Sequence, residues 1–478
     1  MSERAASGSA ADRFPTKYLG RPEVRDLPAP PENTAKIIGP GIVAAGVGLA
    51  SGEFILYPYI ASQVGLVFVW AALVGVTIQF FLNMEIERYT LATGETALTG
   101  FSRFWRHWGL VFAVMTYFAN LWPGWATSSA TMLSFLVGGE PRWIAIGMLA
   151  VIGLILTLAP VVYVMLERLQ MVKVVAVGLL ILVAAVFVIN AESWAALPQI
   201  VTQATIPAEQ LGFALLLGAL AFAGAGGGQN LCQSNWIRDK GFGMGSYVPR
   251  ITSPVTGEPE AAPSTGFVFE PTPENLARWD RWWRFANKEQ ALTFVLITFV
   301  TITFTSLLAY ATVHGMEGLA NSIEFVRREG EVLQERVGAW FKVLFWIVGA
   351  FSLFAAAAGI VDYTSRLGAD VLRTSYLKGH NESRLYFFLV WGLVIIGMLV
   401  LMIGVSQPLV LLVISACVGG GMMFLYSLLL IRLNRQVLAP QIRPGAGRVA
   451  ALAFAFVLFG GLTALTLFQQ IPKLWGGG

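Results

Sequence analysis

The sequence predicts an all-α polytopic membrane protein of about eleven transmembrane helices. They form two inverted five-helix repeats whose first helices are interrupted. Three observations predict this. Apolar runs of roughly 17–25 residues, the length that crosses a bilayer, recur between short charged loops. Of the 478 residues, 56% are hydrophobic and 13% charged, about half the charged share of a soluble domain, and mean hydropathy is +0.67. Spans 1 and 6, in corresponding positions of the two halves, both carry glycine-rich interruptions. Paired interruptions of that kind mark discontinuous helices meeting at the midplane of a carrier.

Residues 1–35 are polar and rich in Pro, Ala and Ser, which predicts a disordered cytoplasmic tail. The tail holds no apolar stretch of signal-peptide type. The remainder, 36–478, reads as one transporter domain, with repeat one over 37–190, repeat two over 211–431 and an extra helix over 449–470. The spans fall near 37–64, 66–90, 108–137, 142–160, 162–190, 211–236, 290–314, 338–368, 384–404, 407–431 and 449–470.

Lys and Arg cluster after spans 2, 6, 8 and 10, for example Arg103, Arg238, Arg366 and Arg435, while the Ala191–Gln210 loop holds none. The positive-inside rule then places the N-terminus in the cytoplasm and, with an odd span count, the C-terminus outside; the expected location is the plasma (inner) membrane. The 239–287 loop reads as a solvated cytoplasmic connector. It ends in an amphipathic helix, with Trp279, Trp282 and Trp283 beside Arg281 and Arg284, lying on the headgroups.

Glu53 is the most informative residue of span 1. A carboxylate at membrane depth is costly and by default marks function. Gly46, Gly48, Ser51, Gly52 and Pro58 surround it, which predicts a break near Ala50–Glu53 that opens backbone groups to a cavity. In span 6, Gly224-Ala225-Gly226-Gly227-Gly228-Gln229-Asn230 predicts a second break. Glycine costs about 1 kcal/mol in a helix interior, and consecutive glycines cannot serve one packing face.

With Gly39-Pro40-Gly41 opening span 1 and the interruption at Ala50-Ser51-Gly52-Glu53, the chain resembles the Nramp family of proton-coupled divalent metal transporters. The resemblance implies a fold of the LeuT/APC type and a metal site between spans 1 and 6. The family's Asp-Pro-Gly-Asn motif is replaced here by Ala50, Ser51, Gly52 and Glu53, and its Met-Pro-His motif by Gly227, Gly228 and Gln229. The chain therefore reads as a divergent, Nramp-related branch.

The candidate substrate-binding residues are Glu53, Ala50, Ser51, Gly227, Gln229 and Asn230, with Gly52, Gly224, Gly226 and Gly228 as hinges. Of these, Glu53, Gln229 and Asn230 are the candidate metal ligands. Their hard oxygen donors suit Mg²⁺ or Mn²⁺ rather than zinc or copper. Cys232 is a possible soft ligand further along span 6. The alternative is an ion-coupled carrier of an amino acid or small organic acid. Gly48-Leu49-Ala50-Ser51-Gly52-Glu53-Phe54 also resembles the Gly-Ser-Gly-Ile-Phe break of amino-acid transporters. A non-transporting receptor or scaffold is the remote third reading.

Asp362 in span 8 has two readings, a coupling-ion or proton site together with Glu53 and an ion pair with Arg366 one turn on. Glu85, Glu87 and Arg88, like Glu167 and Arg168, read as gate or interface groups. Trp122-Pro123-Gly124-Trp125 predicts a kink in span 3, with Thr127 and Ser128 lining the site. No phosphate loop or nucleophile–base pair stands in the sequence, so no enzyme is expected. The expected partners are the bilayer and a small ion or molecule, with no cofactor, nucleic acid or obligate protein partner.

Overall fold

The structure is a computed structural model that describes residues 9–31, 39–253, 265–319, 323–405 and 407–475. Eight of its helical stretches are long and apolar enough to cross a membrane. They hold spans 1 (Pro40–Gly48, resuming over Ser51–Leu56 and Tyr57–Val64), 4 (Pro141–Leu158), 5 (Val162–Phe187) and 7 (Ala291–Leu296 into Ile297–Val313). Spans 8 (Ala339–Val371), 9 (Glu382–Met402), 10 (Pro408–Val437) and 11 (Ala446–Trp475) complete that set. Three more stretches occupy the remaining predicted positions. Span 2 (Trp70–Thr93) is diluted by Gln79, Asn83, Glu85 and Glu87. Span 3 breaks between Trp108–Asn120 and Gly124–Val137 at Pro123, as its kink signal predicts. Span 6 breaks between Phe213–Ala221 and Gly228–Lys240.

Packing places spans 1 and 6 centrally. The first half of span 1 packs on spans 5 and 6, and its outer half on span 7. Span 8 runs against spans 3 and 5, and span 10 against span 11 and the first half of span 6. Span 1 is nearly all buried, whereas spans 5, 9 and 11 expose Leu182, Val186, Phe388, Val457 and Phe468. That is the distribution of a bundle whose outer helices meet lipid, where apolar exposure costs nothing.

The N-terminal tail differs from the expectation of disorder. Residues 9–31 fold across the face on which span 1 begins. Glu23–Val24 pairs in parallel with Phe267–Val268, and Ser9 Oγ and Ala10 N each donate to Glu270 at 2.9 Å. Phe14, Leu19 and Leu27 are buried. Arg103 stacks on Phe14 and donates to the Gly20 carbonyl at 3.0 Å. A few apolar residues, each given a pocket and backbone partners, order a tail whose composition is otherwise polar.

The 239–287 loop is likewise more than a solvated connector. Phe267, Phe269, Trp279 and Trp282 are buried in protein rather than laid on headgroups. Trp283 is half-buried, with the Arg88 guanidinium 3.9 Å from its ring centroid. Arg103, Arg238 and Arg366, counted in sequence as loop charges, are buried in ion pairs with Glu95, with Asp370 and Glu382, and with Asp239 and Asp362.

Candidate functional site

The two breaks meet. Span 1 leaves helical geometry at Leu49 and Ala50 and resumes as a wider turn over Ser51–Leu56. Span 6 unwinds from Phe222 to Gly227, where Gly224, Gly226 and Gly227 take φ of +128°, +79° and +76°. Such backbone strongly favours glycine. A Cβ on Gly48 would lie 1.8 Å from the Gly224 carbonyl oxygen, and one on Gly52 would lie 2.0 Å from that of Phe222. Gly227 is closed in the same way against the Gly419 carbonyl of span 10, at 2.4 Å.

Glu53 sits at this contact and is fully buried. Its Oε2 accepts from Ala50 N at 3.2 Å, whereas Oε1 has no hydrogen-bond partner. An unpaired carboxylate oxygen in a dry site demands a proton or a cation. The Ser51 side chain lies outside the described residues.

Gln229 and Asn230 stand in the first turn of the restarted helix, not in the unwound stretch. Gln229 Nε2 donates to the Ala44 carbonyl at 2.6 Å and so ties span 6 to span 1. Asn230 is spent on structure. Its Oδ1 caps Gly227 N at 2.8 Å, and its Nδ2 donates to Asn83 Oδ1 at 2.7 Å. The expectation of Asn230 as a metal ligand therefore gives way to a capping role. The helix start needs its orphan amides satisfied, and asparagine at the third position does this.

Asp362 is also committed. It accepts from Arg366 Nε at 2.7 and 2.8 Å and from the Tyr386 hydroxyl at 2.7 Å, so the ion-pair reading replaces the coupling-site reading. Cys232 is buried within electrostatic reach of this Asp362–Arg366 pair. Thr127 and Ser128 bond back to carbonyls of their own helix rather than lining the site. Glu167 pairs with Lys240 at 2.7 Å, and Glu85 with Arg88 at 2.8 Å. Neither oxygen of the buried Glu87 carboxylate is held by an arginine or lysine among the described residues.

Two residues outside the sequence expectation complete the site. Gln79 of span 2 holds the span 6 break open. Its Nε2 reaches the carbonyls of Leu220, Ala221 and Ala223 at 2.9–3.2 Å, and its Oε1 accepts from Ala225 N at 2.8 Å and Gly226 N at 3.2 Å. Lys173 of span 5 is fully buried and donates to the Gly46 carbonyl, at the end of the first half of span 1. Its charge acts directly on Glu53. Both are polar residues in hydrophobic spans, which is the sequence signal that marks them. A thioether lies at this level too, since Met422 Sδ accepts from Thr116 at 3.4 Å and Thr116 abuts Gly228. Among the described residues no cluster of three His, Cys, Asp or Glu side chains stands ready for a metal.

Comparison with solved structures identifies the architecture. The chain is similar to a mutant of the manganese transporter of Eremococcus coleocola, with a TM-score of 0.70 at 12% identity over 96% of this chain and 92% of that one. It is also similar to a nucleobase-cation-symport-1 family transporter with bromovinylhydantoin bound, at a TM-score of 0.53 and 12% identity over 93% and 94% of the two chains. MhsT in complex with L-phenylalanine follows at 0.52 and 12%, over 89% and 98%. No protein-family model and no curated protein matches the sequence. At these identities the likeness fixes the fold. It is the LeuT-type fold with interrupted helices 1 and 6.

Proposed function

We propose that this chain is a secondary transporter of a hard divalent cation, Mg²⁺ or Mn²⁺, that works by alternating access through a site centred on Glu53. The observation that carries this reading is the buried Glu53 carboxylate with a free oxygen at the contact of the two breaks. The helix contact supplies further hard donors. Gln229 keeps its amide oxygen free of hydrogen bonds, and the unwound residues carry carbonyls. Oxygen ligands of this kind suit these ions. The fold shared with a manganese transporter supports the same class. The basic loops support a cytoplasmic N-terminus and a plasma-membrane location.

Lys173 gives the site its coupling. Its ammonium balances Glu53, so an arriving divalent ion meets a site without net negative charge. Metal at Glu53 repels the ammonium and favours loss of the Lys173 proton, and transport becomes an exchange of metal for proton.

The same observation favours a second reading, an ion-coupled carrier of an amino acid or small organic acid. A buried carboxylate and a buried ammonium in one site, beside a half-helix start, suit a zwitterion or anion. Uptake by reconstituted protein separates the readings. In the first, Mn²⁺ is taken up and a monodisperse Glu53→Gln protein loses that uptake. Normal Mn²⁺ uptake by Glu53→Gln would make Glu53 a structural residue. A parent that ignores both metals but gains thermal stability with an amino acid would establish the second reading.

A further inference from the structure

Below the helix breaks, toward the inner side, lies a group of buried polar side chains that the central site does not use. Gln79, Asn83 and Glu87 follow one another at four-residue spacing down one face of span 2. Gln79 holds the break and Asn83 accepts from Asn230. Glu87, a turn further in, is fully buried, and neither of its carboxylate oxygens has a hydrogen bond. Its neighbour Arg88 does not serve it, being turned to Glu85 at 2.8 Å and to the Ile442 carbonyl at 2.8 Å.

Glu289, at the foot of span 7, is the second acid. Its Oε1 caps the start of span 1, accepting from Gly41 N at 2.9 Å, Gly39 N at 3.4 Å and Thr293 Oγ1 at 3.1 Å. Its Oε2 is buried and free. The two carboxylates act on each other electrostatically. Gln233 of span 6 is fully buried with its amide turned to the Glu87 carboxylate, and its amide oxygen has no hydrogen-bond partner. The cation that acts on Glu289 is Lys240, already bonded to Glu167 at 2.7 Å. Among the described residues the group therefore holds two acids, an amide and no cation of its own. Buried charges persist when they are paired or coordinate an ion.

We propose that Glu87, the free oxygen of Glu289 and the amide oxygen of Gln233 form a second binding site for a hard divalent cation. It is an inner station between the helix breaks and the cytoplasmic face. It rests on the reading of the chain as a cation carrier and extends it. The ion leaving Glu53 has oxygen donors on span 2, span 6 and the foot of span 7 to pass to, and the Glu289 cap ties this station to the start of span 1. The three donors are hard, and none is sulfur or imidazole.

Mn²⁺ binding to the purified protein in nanodiscs, counted by electron paramagnetic resonance, tests this without requiring transport. The parent is expected to hold two ions. Glu53→Gln retains the inner one, and Glu87→Gln retains the central one. Gln233→Leu, which removes no charge and guards against misfolding of the acid variant, weakens the inner ion roughly 10–100-fold. Monodisperse Glu87→Gln and Gln233→Leu proteins that bind Mn²⁺ with parental number and affinity would overturn the inner site, while a loss in Glu53→Gln alone would leave the central reading standing. Loss of one ion in Glu87→Gln with none lost in Glu53→Gln would support the inner site and remove the central one. A parent that binds no Mn²⁺ at millimolar concentration overturns both.

Discussion

Gly48 of span 1 lies against Gly224 of span 6 so closely that a methyl group on the first would sit 1.8 Å from the carbonyl oxygen of the second. Gly52 repeats the arrangement one turn on, 2.0 Å from the Phe222 carbonyl. The atoms in the way are backbone, which cannot rotate aside. These glycines let two interrupted helices touch through their unwound segments, and that contact lies beside Glu53. Gly52→Ala is expected to push the halves apart at a cost of about 1–3 kcal/mol. It should remove transport while the protein stays folded. Thermal unfolding and uptake measured on the same preparation check both parts, and an alanine variant with parental uptake would show that the helices are not in contact.

Gln79 is expected to matter as much for folding as any apolar core residue. One side chain serves five backbone groups of the span 6 break. Leucine fills much the same volume and strands those groups in a place without water. At about 1–3 kcal/mol for each group left unpaired, partial rescue by ordered water still leaves Gln79→Leu destabilised by roughly 3 kcal/mol. Gln79→Glu keeps the acceptor and loses the donor, so it should fall between. The order of melting temperatures in detergent decides this.

The contrast between Glu53 and Asn230 shows how much of this was legible in the sequence. The helix positions, both breaks and the burial of Glu53 beside them follow from local composition, because glycine runs and intramembrane charge have steep local costs. The roles of Asn230 and Asp362 do not follow. Both are polar residues at membrane depth, and only the positions of Gly227, Asn83, Arg366 and Tyr386 reveal that they are already satisfied. The fold of residues 9–31 was hidden for a related reason. Its order comes from Arg103, Glu270 and the Phe267–Val268 strand, which are distant in sequence. Gly227 also excludes a methionine in the family's ligand position, since its φ is +76° and the Gly419 carbonyl fills the space.

Glu329 supplies a pH signature. It lies on the Glu324–Arg336 helix between spans 7 and 8 and lines a small cavity with Phe54, Pro58, Phe304, Thr305 and Phe345, none of them charged. Burial pushes its carboxyl from 4.5 up to about 8. A raised acid keeps its proton in the folded state while the unfolded chain has lost it, so stability falls as pH rises from about 4.5 to about 8 and is level above that. The slope is at most about 1.4 kcal/mol per pH unit. Glu329→Gln should melt near the parent at pH 5 and above it at pH 8. Equal melting at both values would place Glu329 in water.

Lys173 decides between the two proposed substrates. Its ammonium and Glu53 are both buried and feel each other's charge. With methionine in its place the central site carries the Glu53 charge alone. For a divalent cation that change removes a repulsion, so Lys173→Met should bind Mn²⁺ about tenfold more tightly, or ~1.4 kcal/mol. The affinity should also lose most of its dependence on pH, because the proton displaced by metal is gone. For an organic acid or amino acid the same change removes a positive charge that would face its carboxylate group, and binding should fall by a similar factor. Calorimetry of Mn²⁺ and of amino acids against both proteins at pH 6 and pH 8 reads the sign directly. Weaker Mn²⁺ binding in Lys173→Met would mean that the lysine positions the Gly46 carbonyl for the ion rather than opposing it, and metal-for-proton exchange at this residue would be wrong.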